Sequence, residues 1–127
     1  MNAPPSDKLT SKKGPVPTVY TESLMHDLAS AVAHHLNSTV EAMRSLESGA
    51  NESHARVVAM AAACALYPSW DREKIGKFFR REKSDATFCA KRVSRAIQTK
   101  SGTPLHACAL KFCKAYGIEP EKLMVKS

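Results

Sequence analysis

Between Arg72 and Lys100 the chain sets ten lysines and arginines against Glu73, Glu82 and Asp85, and this stretch accounts for the whole formal charge of +7. Residues 1–50 hold four basic and five acidic groups, whereas 51–127 hold fifteen and seven. Cations so concentrated create a local positive field, and the chemistry that suits them is capture of a polyanion rather than bond making. Arginine pairs bidentately with guanine O6 and N7, lysine holds phosphates, and a threonine methyl meets a thymine methyl. A solvated helix face has the same composition, so the arrangement of these residues decides more than their number.

Other chemistries find no matching pattern. Cys64, Cys89, Cys108 and Cys113 contain no Cys-x-x-Cys spacing. His106 and Cys108 are two apart and diverge by about 200° on a helix, and Cys108 and Cys113 do not share a face either. These thiols read as small buried apolar residues rather than a zinc site, so no metal and no cofactor is expected. His34 and His35 diverge, and His26 and His34 share a side without a carboxylate or cysteine to complete a site. No nucleophile with its base, no paired carboxylates and no phosphate-cradling loop occur, and there are only five glycines. The expectation is no enzyme and no small-molecule substrate.

The elements that must position the basic stretch are helical. Residues 1–20 hold four of the seven prolines with Ser, Lys and Gly14 and show no apolar period, which predicts a disordered tail. Leu24, Leu28, Val32, Leu36, Val40, Met43 and Leu46 then recur every three or four residues, predicting one long helix with a single apolar stripe. Gly49 is expected to stop it, and Asn51 or Ser53 to cap a second helix ending at Pro68. That helix, with Val57 to Leu66 nearly all small or apolar, is the expected centre of the core. Asp71 caps a short helix over Arg72–Phe79 with Ile75, Phe78 and Phe79 inward. Arg80-Arg81-Glu82-Lys83 reads as a turn, and Ser84 or Asp85 as the start of a helix with Ala86, Cys89 or Ala90, Val93 and Ile97 inward. Thr103 and Pro104 open a last helix, with Leu105, Ala109, Phe112 and Tyr116 on one side and Gly117 at its end. A final turn over Pro120–Met124 is expected to pack loosely. Tyr67 and Trp70 flank Pro68 in what reads as a packed turn. The fold class is all-α: one small helical bundle over 21–127, with a helix-turn-helix at about 71–98.

In a helix-turn-helix the second helix buries one face and presents the other to the major groove. Thr87, Lys91 and Arg95 lie opposite the apolar positions, with Arg80, Arg81 and Lys83 in the turn. Phe88 reads equally as core or as an exposed ring contacting DNA or a partner. At this point Arg56 to Val93 resembles the DNA-binding C-terminal domain of the bacterial replication initiator DnaA. The resemblance is carried by Arg56-Val57-Val58-Ala59-Met60-Ala61, Ile75-Gly76-Lys77-Phe78-Phe79, Arg81-Glu82-Lys83-Ser84-Asp85-Ala86 and Cys89-Ala90-Lys91-Arg92-Val93. It implies a phosphate contact for Arg56, a base contact near the turn for Arg81, and recognition positions at Lys83, Ser84 and Asp85. The family's Asp-His pair is here Glu82-Lys83, its recognition threonine is Asp85, and its basic loop is Glu47 to Glu52. No ATPase module is present.

The expected partner is therefore double-stranded DNA, held by Arg56, Lys77, Arg80, Arg81, Lys83, Ser84, Thr87, Lys91, Arg92 and Arg95, in a small transcriptional or replication-associated regulator. The alternative is a helical protein-interaction module that kept the fold without DNA readout, motivated by Glu82 and Asp85, whose carboxylates repel phosphate. RNA is a weaker fit, because no strands offer a stacking platform. The long stripe over 24–46 is open to two readings, packing on the chain's own core or forming a homodimer. No apolar run approaches the roughly 20 residues of a membrane span, and no signal peptide is visible. Reduced thiols and a cytoplasmic location are expected.

Overall fold

The computed structural model describes residues 19–46 and 49–125, so the expected tail lies almost wholly outside the described residues. At its end Tyr20 is half-buried and stands edge-on to Trp70 at 5.4 Å, and the next residue, Thr21, caps the first helix by accepting from Leu24 N–H. The described chain is all-helical. It runs α1 (Glu22–His35), α2 (Val40–Arg44), α3 (Ala50–Leu66), α4 (Arg72–Phe78), α5 (Lys83–Thr99) and α6 (Pro104–Tyr116), closed by a 3-10 turn at Pro120–Leu123. As its composition requires, α3 is the axis, and every other element packs against it. Val58, Ala59, Met60, Ala61, Ala62 and Ala63 are fully enclosed. Alanine lets the surrounding helices approach its backbone closely, and one apolar cluster joins all the elements.

The single helix expected over 24–46 is instead two. Asn37 takes the left-handed conformation (φ 55°), which asparagine tolerates better than most residues, and Ser38 N–H donates back to Ala33 at 3.0 Å. Thr39 then caps α2 by accepting from Ala42 N–H. Asn51 Nδ2 donates to the Leu36 carbonyl at 2.9 Å and pins this corner to the start of α3. The bend wraps Leu28, Val32, Leu36, Val40 and Met43 around the core and buries all five, leaving Leu46 exposed. Most of the stripe is taken up by the chain's own packing, with Leu24 half-buried. Gly49, expected as a stop, is the N-cap of α3.

The connection between α4 and α5 depends on one glycine. A Cβ on Gly76 would lie 2.7 Å from the carbonyl carbon of Glu82, closer still to its oxygen, and 3.2 Å from the carbonyl oxygen of Arg81. Backbone occupies the space a side chain needs. The Gly76 carbonyl accepts from Arg81 N–H at 2.8 Å, while Arg80 N–H donates to Lys77 at 2.9 Å, the pair of bonds that closes a Schellman motif. Arg80, at φ 59°, holds the left-handed position that usually falls to glycine. The next helix starts earlier than expected: Glu82 is its N-cap, and Asp85 Oδ2 accepts from Glu82 N–H at 2.9 Å in a capping box.

Asp71, Thr103 with Pro104, and left-handed Gly117 cap and end their helices where the sequence places them. Tyr67 and Trp70 stack at 4.2 Å around Pro68. The final turn packs tightly rather than loosely, because Leu123 is fully buried and Ser94 Oγ accepts from Val125 N–H at 2.8 Å. Among the described residues no helix is long and apolar enough to cross a membrane.

Replacing Gly76 with Ala should destabilise the protein by about 1–3 kcal/mol, even though alanine favours a helix, because the turn must be displaced. The urea midpoint at unchanged slope measures this. A variant as stable as the parent would mean that the α4–α5 connection can relax away from the glycine.

Candidate nucleic-acid interface

Burial divides the basic stretch by the spacing of α5. Ala86, Cys89, Ala90, Val93, Ser94 and Ile97 are enclosed, whereas Lys83, Ser84, Phe88, Lys91, Arg92 and Arg95 stand in solvent. Arg80 is exposed at the turn, next to the first residue of α5's exposed face. A cleft of 630 Å³ between α4 and α5 is lined by Lys77, Lys83, Ser84 and Thr87 together with Glu73 and Glu82. Another, of 430 Å³, lies further along α5 and is lined by Phe88, Lys91, Arg92 and Arg95 with Met124 and Val125. Eight of the ten candidate residues thus meet on or beside the turn and one helix face.

Within that group several side chains are also tied locally. Lys77 forms an ion pair with Glu73 at 3.1 Å, one turn apart on α4. Thr87 is half-buried, and its hydroxyl accepts from Arg72 Nη1 at 3.2 Å, which links the start of α4 to the second turn of α5. Arg92 lies over the Phe88 ring, 5.8 Å from its centre. Arg72 had no role assigned from sequence, since its brace to Thr87 spans two helices and leaves no periodic signal.

The remaining two candidates face the protein. Arg81 is half-buried and donates to the Phe79 carbonyl at 3.0 Å and to the Ser45 carbonyl at 3.3 Å, joining the turn to the end of α2. Arg56 is half-buried on α3, where its guanidinium reaches the Met43 carbonyl at 3.5 Å. Burial, then the nearby Arg81 charge, pushes the Arg56 pKa down from its ordinary value. Arg44, off the apolar stripe in sequence, does similar work: it donates to the Phe78 carbonyl at 2.6 Å and lies over that ring. Three arginines therefore fasten the α2 corner and the underside of the turn.

The carboxylates read as repellent are engaged at the helix start. Asp85 faces the Glu82 amide rather than the solvent stripe, and Glu82 holds the N-cap. Both offset the exposed amides of the first turn.

Among the described residues no three His, Cys, Asp or Glu side chains gather where a metal ion could be held. The four cysteines are free thiols, three of them buried. Burial raises Cys89 and Cys113 to about 11. Compared with family models, with curated proteins and with solved structures, the chain gives no match.

Arg81→Ala should cost about 1–3 kcal/mol, as its half-buried hydrogen bonds to the Phe79 and Ser45 carbonyls are lost, whereas Lys91→Ala and Arg95→Ala should stay within about 0.5 kcal/mol of the parent. Thermal or urea unfolding of the three variants checks this. Equal effects would place Arg81 among the solvent-facing cations. At about pH 8.5 alkylation should reach half-buried Cys108 first, while Cys89 and Cys113 stay protonated and covered until the fold opens. Mass spectrometry of the modified peptides gives the order.

Proposed function

We propose that α4, the turn and α5 form a helix-turn-helix, and that the protein binds double-stranded DNA with α5 in the major groove, as a small transcriptional or replication-associated regulator. The resemblance to the DnaA DNA-binding domain is part of this proposal. The observation that carries it is the exposed cationic surface of the turn and α5: Arg80, Lys83, Lys91, Arg92 and Arg95 all lie in solvent around it. None of these five side chains is buried in the core. At Arg80 the chain even keeps a long cation in a left-handed conformation where glycine would sit with less strain.

The division of labour follows from burial. Arg80, Lys83, Lys91, Arg92 and Arg95 hold phosphates on either wall of the groove, and Ser84 and Thr87 approach base edges between them. Lys77 contributes from α4 at the rim. Arg56 and Arg81 set the height and tilt of the turn rather than reaching the duplex. The capping roles of Glu82 and Asp85 supply a structural reason for carboxylates beside this surface.

With about five phosphates neutralised, log affinity should fall with log salt at a slope near −4.5, and replacing both Lys91 and Arg95 with Ala should bring it to about −2.7. Fluorescence anisotropy on random-sequence duplexes across salt concentrations measures both. Absence of binding at low salt would reject the proposal. Arg80→Gly should separate fold from function: stability rises by up to about 1 kcal/mol as backbone strain is relieved, while duplex affinity falls. A variant that binds as well as the parent would remove Arg80 from the interface.

A further inference from the structure

The aromatic side chains of this protein go almost entirely into its core. Tyr67, Trp70, Phe78, Phe79, Phe112 and Tyr116 are buried and Tyr20 is half-buried, but the Phe88 ring is 61% exposed. Its position is specific. Ser84, Phe88, Lys91 and Arg95 follow one another at intervals of four, three and four residues, so they form one solvent-facing line along α5. Arg92 lies over the ring, and Lys91, Arg92 and Arg95 surround the cleft that Phe88 lines.

An apolar ring set among cations matches a surface that is polyanionic yet carries apolar groups. The major groove of a duplex is such a surface: phosphates form its walls, and the C5-methyl of thymine is the one apolar group on its base edges. A phenyl ring neither donates nor accepts a conventional hydrogen bond. It gains nothing at the polar edges of guanine, adenine or cytosine, and it does gain from covering a methyl group. Resting on the DNA-binding reading above, we infer that Phe88 is a specificity-determining residue that contacts thymine methyl groups, so that the protein selects thymine-containing sites.

The test uses the full-length protein and two random duplex pools, one synthesised with thymidine and the other with deoxyuridine, which pairs identically but lacks the methyl group. After parallel rounds of selection at low salt, the thymidine pool should bind at least about fourfold more tightly, the loss expected for withdrawing one methyl-sized apolar contact. Thymine should be enriched at one or more fixed positions. Phe88→Ala, at an exposed position, should keep the parent's unfolding temperature and bind both pools equally. Parent protein that binds the two pools equally would overturn the methyl contact and leave DNA binding standing. Discrimination that survives in Phe88→Ala would overturn the assignment to this ring. Retention of neither pool would overturn this inference together with the DNA-binding reading. Phe88→Leu, which keeps an apolar surface, should restore part of the preference for thymidine.

Discussion

A side-chain carbon on Gly76 cannot fit beside the Glu82 carbonyl unless the turn shifts, and the candidate interface inherits its shape from that contact. Because α4 touches the turn through bare backbone, the Gly76 carbonyl lies close enough to accept the Arg81 amide. That bond closes the end of α4 and places Arg80 in the left-handed position. It also delivers the chain to Glu82 in the extended conformation an N-cap requires, after which Asp85 folds back on the Glu82 amide and α5 begins. Each of these contacts constrains the next, so the turn and the start of α5 share one geometry. Ala86, Cys89, Val93 and Ile97 are buried in the same phase.

The parts of this fold legible in the sequence are those whose burial leaves an apolar pattern. α5 and α6 follow from their apolar spacing and α3 from its nearly continuous run of small and apolar residues, and Asp71, Thr103, Pro104 and Gly117 mark ends that the structure keeps. The long N-terminal helix misleads for a physical reason. Two helices bent around one core bury the same stripe that one straight helix would, so Leu24 to Met43 keep a helical rhythm across the break. The break itself is written in Asn37 and Thr39, a left-handed residue followed by an N-cap, and those local signals are outweighed when only apolar spacing is followed. The start of α5 shifts for a related reason, since glutamate is a less usual cap than the serine two residues later.

Charge is legible as a total and a place, but its use is not. Arg56 and Arg81 are of the same residue type as Arg92 and Arg95, yet the first pair is half-buried against backbone carbonyls and the second stands in solvent. What separates them is contact with Ser45 and Met43, thirteen or more residues away in sequence, and no spacing rule carries that information. The same holds for Phe88, whose place one position before Cys89 fits the core face or the solvent face until the phase of α5 is known.

The two groups of arginine are nonetheless coupled through the field they share. Burial and the Arg81 charge disfavour the cationic form of Arg56, so like charges close to the turn work against the folded state that presents them. The exposed cations of α5 add to that repulsion from the other side of the same turn. Carbonyl acceptors at Ser45, Phe79 and Met43 compensate within the fold, and on the outer face the carboxylates of Glu73, beside Lys77, and of exposed Glu82 offset part of the cationic charge. On the DNA-binding proposal, a bound polyanion would lower the repulsion on both groups at once. The free energy of binding and the stability of the turn are then linked, because a ligand that binds only the folded state stabilises it by mass action. A turn packed against Gly76 and carrying an arginine in a left-handed conformation holds Arg80 and Lys83 exposed through contacts within the chain itself.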